Sequence, residues 1–390
     1  MRTTVLLTLA VPLAGILFFT ALKRFYVPDE LPGSYRFVEE AHTIAAADGA
    51  QLSATLTRVT GSNDASENQN SATARPLIVM VADRTLDGNW NSRSFSFRSG
   101  STLARIFASA GYHSLRFDHR GTGQTVASPR THLDLELMTG DIAAAIQSVP
   151  RIFRSPTSEV SATYLLAHGD GCALTLQSLQ SHARDQVEGL AGIMLTACPV
   201  AIGALDEPQT LFEQWGRVLL HNMRRQRVPD KVVARAAVEW SDYAASGELP
   251  VEEIAPAKEP SPDLIAFREA LAFMNSAEMQ SFRELAREMH SGRALTALTK
   301  AGVPVLHLFG QSDGELPPES YERAQEYARA NFSGRAAYRA QMIARMNHFL
   351  KEQEQIETGP GLALERLNPF RRIHPAAVDA LLQFVIAQAP

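Results

Sequence analysis

Short apolar runs alternate with amphipathic stretches of helical length along most of this chain, and that rhythm narrows the fold more than any other feature. The runs PLIVMVA (76–82), HSLRF (113–117), ATYLLAH (162–168), GIMLTAC (192–198) and VPVLHLFG (303–310) are compact and largely apolar. Strands buried on both faces read this way. Between them, STLARIFASAG, LDLELMTGDIAAAIQSV and CALTLQSLQSHAR repeat apolar residues at three and four spacing, the period of a helix with one buried face. Strand and helix in alternation predict an α/β fold: a mostly parallel, doubly wound sheet with helices on both faces and right-handed crossovers. A chain of 390 residues with 45% apolar and 20% charged content has enough material for such a core.

The flanks break the rhythm in different ways. From Tyr35 to Thr60 two strands are expected, joined at Asp48-Gly49, a dipeptide that favours a tight hairpin. The next stretch, GSNDASENQNSATAR (61–75), lacks large apolar residues and reads as a solvated, flexible loop. Residues 205–300 are helical in period, with a proline-rich break at APAKEPSP. They read as a helical lid inserted between two parts of one core, 35–204 and 301–390, with Trp215 and Trp240 as packing residues. After the insertion, PESYERAQEYARANF predicts a helix, RAAYRAQMIA a strand, and HPAAVDALLQFVIAQ a terminal helix with Pro375 in its first turn.

The N-terminus carries an address. Val5 to Leu22 holds no charge and is followed at once by Lys23 and Arg24. Eighteen residues make roughly 27 Å of helix, enough for a thin hydrocarbon core. Residues 1–26 therefore read as a signal anchor that ties the protein to a membrane by a single pass. A cleaved signal peptide is the main rival and would mean export. Arg2 competes with Lys23 and Arg24, which leaves the orientation open.

The net charge of -5 is spread without a basic stripe, so nucleic acid is not an expected partner. No CxxC or His/Cys cluster has zinc-ligand spacing, and neither a metal nor another cofactor is expected. Cys172 and Cys198 are expected to be packed free thiols, paired only if the domain is exported.

In open α/β sheets, functional groups gather beyond the carboxyl ends of the strands. Four strand ends here are polar or glycine-rich: LRFDHRGTGQT (115–125), LLAHGDGCA (165–173), LFGQSDGELPP (308–318) and ARMNHFLK (344–351). With these stretches the chain resembles the α/β-hydrolases. It is most similar to the branch of serine esterases and peptidase-like hydrolases with a Gly-His-Ser-Glu-Gly-Gly elbow. LARIFASAGYHSLRFDHRGTGQT followed by DIAAAIQSV matches its arginine-glycine loop, and VADRTLDGNWN resembles its Asp-Arg-Asp-Gly loop without the glycine-rich start.

The resemblance implies a catalytic order of nucleophile, acid and histidine. Carried over, the acid is Asp313 and the base His348. The elbow aligns as Ala167, His168, Gly169, Asp170, Gly171 and Cys172, so the nucleophile position is Gly169 and holds no nucleophile. The oxyanion hole would be the backbone N–H of Asp170 with one from the loop of Ala82, Asp83 and Arg84.

Each residue also has a structural reading. Asp313 can be a turn former beside Gly314 and His348 a packed histidine; together, in order and at strand ends, they read as inherited catalytic geometry. Asp118 and Arg120 read as loop braces, and His168 as buried scaffold that points away from the apex. Without a serine the acyl-enzyme route closes. Three substitutes are open. Asp170 needs the apex for carboxylate attack, and Cys172 should point into packing. His348 with Asp313, acting as general base on water or an acidic substrate proton, is preferred. The expected protein is a hydrolase of carboxylic esters or amides by ancestry, acting on a small molecule. The rival is a non-catalytic descendant that binds a small ligand or a protein partner through the lidded pocket.

Overall fold

The computed structural model describes residues 33–62, 74–84, 86–91, 98–126, 134–153, 160–181, 189–198, 220, 223–224, 228–246, 295, 301–313, 316, 319–331, 338–353 and 372–388. Along the chain run β1 (Tyr35–Ala45), β2 (Gln51–Ser62), β3 (Arg75–Val81), α1 (Ser99–Ser109), β4 (His113–Phe117), α2 (Leu135–Ile152) and β5 (Val160–His168). Then follow α3 (Gly171–Ser181), β6 (Leu190–Thr196), α4 (Asp230–Ser246), β7 (Val305–Gly310), α5 (Glu319–Asn331), β8 (Tyr338–Ile343) and α6 (Pro375–Gln388).

The strands form one sheet in the order β1-β2-β4-β3-β5-β6-β7-β8. β1 and β2 make the expected antiparallel hairpin, and β2 pairs antiparallel with β4. Every pair from β4 to β8 is parallel. The apolar runs are continuous because both faces are covered. On β3, Leu77, Val79 and Val81 join the layer that holds Ile142 and Leu174, whereas Ile78 and Met80 join the layer that holds Phe107 and Leu381. Alternate residues of one strand thus serve two cores. Asp134 starts α2 by accepting a hydrogen bond from the N–H of Leu137 at 3.1 Å.

Several expectations change in detail. β2 continues through Gly61 and Ser62 and β3 begins at Arg75, both inside the stretch read as a flexible loop; residues 63–73 lie outside the described residues. Of the insertion 205–300, α4 matches its predicted helix, with Val232, Val233, Ala236 and Trp240 buried in the same cluster as the sheet. Trp215 and most of that insertion lie outside the described residues, as does the apolar run at Val5 to Leu22. Among the described residues no helix is long and apolar enough to cross a membrane.

The cysteines are a correction. Cys172 and Cys198 form a disulfide rather than two packed thiols. β5 and β6 are parallel neighbours with His168 opposite Thr196, so the first turn of α3 and the end of β6 bring the two Cα atoms to 5.8 Å.

Candidate active site

β5 and α3 meet at a sharp turn whose apex is Gly169. Its φ is 58°, a left-handed conformation that costs a side-chain-bearing residue about 1–2 kcal/mol. The turn is fastened by the N–H of Gly169 donating to the carbonyl of Thr196 at 3.1 Å and that of Cys172 to Gly169 at 3.2 Å. At Gly171 a Cβ would collide with the carbonyl of Ala82. The elbow therefore sits against the end of β3, and only a small residue fits there.

The acid and the base come from the ends of β7 and β8. Asp313 is fixed by its own N–H to Gly310 (3.1 Å) and by the N–H of Leu316 to its Oδ1 (3.0 Å). His348 rides on a tight loop closed by Asn347, whose side chain accepts from the N–H of Lys351 at 2.9 Å. Ser99, at the start of α1, ties that loop down by donating to the carbonyl of Phe349 at 3.0 Å. The two side chains meet: His348 Nδ1 lies 3.1 and 3.2 Å from the carboxylate oxygens of Asp313. A carboxylate only accepts, so Nδ1 carries the proton and Nε2 is the basic nitrogen. Both groups are buried, at 4% exposure for Asp313 and 8% for His348.

The β3 loop supplies a second set of charges. Asp170 is not at the apex; its carboxylate turns onto Arg84, accepting from the backbone N–H at 2.8 Å and from Nε at 2.7 Å. Asp83, one residue earlier, faces the elbow, and the N–H of Asp170 lies 3.4 Å from its Oδ2. Burial first, then the charge of Asp83, push the Asp170 carboxyl up to about 7 against the opposing pull of Arg84.

The remaining residues frame the site. His168 is fully buried as expected, and its ring lies beside the base: it stacks on Trp90 at 4.4 Å and approaches His348 at 5.0 Å between centroids. Burial, reinforced by His348, lowers its pKa to about 3, so it packs as neutral imidazole. Asp118 braces the loops by accepting from the N–H groups of Gly88 and Gln124 at 2.8 and 2.7 Å. Arg120 clamps Asp48 and Asp141, also as a brace. Cys172, held in its disulfide and fully buried, offers no thiolate. Among the described residues no three His, Cys, Asp or Glu side chains are placed to hold a metal ion.

Sequence reading located Gly169, Asp170, Asp313 and His348 at the right strand ends. It assigned Ala82 and Asp83 only a backbone role. What it missed is the Asp83 side chain, whose direction depends on the elbow packed against it.

The family model described as Hydrolase_4, serine aminopeptidase S33, matches residues 97–342. Comparison with curated protein sequences finds no match. Among solved structures, brefeldin A esterase, a bacterial homologue of human hormone-sensitive lipase, aligns with a TM-score of 0.51 at 14% identity, over 95% of this chain and 83% of that one. Proline iminopeptidase of Mycobacterium smegmatis aligns at 0.45 and 13% identity, over 89% and 99% of the two chains. An esterase of Pyrococcus furiosus aligns at 0.43 and 11% identity, over 88% and 96%. At such identities the likeness concerns the fold alone, and the first of the three carries it.

Proposed function

Because the chain belongs to the serine aminopeptidase S33 family of α/β-hydrolases, we propose that it descends from hydrolases of carboxylic esters or amides and works without a serine nucleophile. In this reading His348, oriented by Asp313, is a general base toward a bound water or an acidic proton of a small-molecule substrate. One observation carries the reading: the His348–Asp313 pair is closed at 3.1 Å while the elbow apex is Gly169. Loss of the hydroxyl removes the acyl-enzyme, not the base.

The test is pre-steady-state hydrolysis of p-nitrophenyl acetate and butyrate. Turnover should be linear from the first point, untouched by fluorophosphonates, and lowered by roughly 10²–10⁴ in His348→Gln. A burst of one equivalent of nitrophenol contradicts the reading. Absence of any His348-dependent turnover replaces it with a pocket that binds a small ligand or a protein partner.

The folded part is further proposed to work in an oxidising compartment, tethered through the apolar run Val5 to Leu22. The Cys172–Cys198 disulfide supports this, since such bonds persist outside reducing cytosol. Thiol alkylation of freshly lysed cells without reductant should find both cysteines blocked; two free thiols contradict this location.

A further inference from the structure

A carboxylate from the end of another strand packs against the elbow apex. A Cβ built on Gly169 would lie 2.8 Å from Oδ2 of Asp83, 3.1 Å from its Cβ and 3.4 Å from its Cγ. Any side chain borne by residue 169 would therefore be crowded by this carboxylate. The elbow N–H of Asp170 lies 3.4 Å from the same Oδ2. Asp83 is also half-buried, whereas Asp170 and Asp313 are buried. Of the three site carboxylates it is the most exposed.

We propose that Asp83 is a catalytic residue: it supplies the oxygen nucleophile of this site, from the end of β3 rather than from the elbow, for substrates with a leaving group on a saturated carbon. The proposal deepens the general-base reading above and rests on it, because His348 must activate the water of the second step.

Chemistry selects the substrate class. A carboxylate that took an acyl group from an ester or amide would become a mixed anhydride, a more reactive acyl donor than the substrate. Attack on a saturated carbon gives an ordinary ester. In the first step a lone pair of Asp83 forms the new C–O bond, and the bond to the leaving group breaks with its electron pair. A halide departs as the anion; an epoxide oxygen takes a proton from solvent. In the second step water gives a proton to His348 Nε2 and attacks Cγ of Asp83. The negative charge that develops on that carboxyl faces the N–H of Asp170, the donor already directed at it. The Cγ–O bond to the substrate carbon then breaks, and the departing alcohol takes the proton from His348. Asp83 is left as a carboxylic acid that releases its proton to solvent. One water is consumed per turnover.

The experiment uses 1,2-epoxybutane and 1-bromobutane with the full-length protein. His348→Gln should stall after the first step and accumulate one adduct per chain, mapped to Asp83 by peptide mass spectrometry. His348→Gln/Asp83→Asn should accumulate none, with melting temperatures confirming that both variants fold. A single turnover of wild type in ¹⁸O water should place ¹⁸O in the Asp83 carboxylate. Absence of an adduct with both probes, an adduct elsewhere, or ¹⁸O found only in the product overturns the proposal. If His348→Gln loses ester hydrolysis yet Asp83 stays unmodified, general-base catalysis stands and the Asp83 nucleophile falls.

Discussion

Two arginine–aspartate clusters stand at neighbouring strand ends, and they use their charges differently. Arg120 lies between two carboxylates and binds each in bidentate fashion, Asp141 at 2.7 and 2.6 Å and Asp48 at 2.6 and 2.8 Å. One guanidinium thereby joins the β1–β2 turn to α2. Arg84 also has two carboxylates beside it, but it grips Asp170 through its Nε and its backbone N–H, and Asp83 reaches toward the elbow. The acid values diverge accordingly: hydrogen bonding to Arg120 pulls Asp48 down to about 2, whereas burial and Asp83 push Asp170 up to about 7. A cluster with every carboxylate clamped is a brace. One whose second carboxylate accepts from the elbow N–H of Asp170 is placed for chemistry.

That contrast can be broken from either side. Arg120→Met strands the buried Asp141, and by the usual cost of breaking a buried pair it should lose about 3–5 kcal/mol in urea unfolding. Arg84→Met removes one charged donor, Nε, from Asp170 but leaves the backbone N–H in place, so a smaller loss of roughly 1–3 kcal/mol is expected. A loss as large as that of Arg120 would make the site cluster a brace as well.

The pH dependence separates the clusters more finely. Asp170 is raised from 3.8 to about 7 in the folded protein. Its contribution to stability is therefore present below about 4 and lost as pH rises through 7. Asp170→Asn should flatten that part of the melting-temperature profile relative to wild type between pH 4 and 7.5. Asp48 is the opposite case, lowered to about 2, so its contribution is present above about 4 and lost as pH falls through 2. Its side chain is 40% exposed, and Asp48→Asn should have the smallest effect of the four, confined to acid. Profiles of the same sign for both variants would erase the distinction between the clusters.

Much of this was legible in the residues because it is local. Continuous apolar runs such as LIVMV announce strands covered on both faces, and Gly169 and Gly171 mark an elbow through backbone shape alone. Asp313 and His348 could be paired because each closes a strand of a parallel sheet, where neighbouring carboxyl ends must converge. The features that escaped depend on contacts across strands. Whether Cys172 meets Cys198 is set by the register of β5 on β6. The place of the His168 ring beside His348 depends on Trp90, held in the β3 loop, which stacks on it. Nothing around Asp83 in the chain says that its carboxylate packs against Gly169, 86 residues later, a distance along the sequence that only the packed elbow closes.

The most direct test of the proposal that an intact acid–base pair stands beside an elbow whose nucleophile is supplied from β3 is fluorophosphonate labelling of wild type, Gly169→Ser and Gly169→Ser/Asp83→Ala. Wild type should not label. Gly169→Ser should label weakly, because its Cβ meets Asp83 at 2.8 Å. The double variant should label strongly and lose the label when His348→Ala is added. Strong labelling of wild type that His348→Ala abolishes, or a folded double variant that stays unlabelled, would contradict the account.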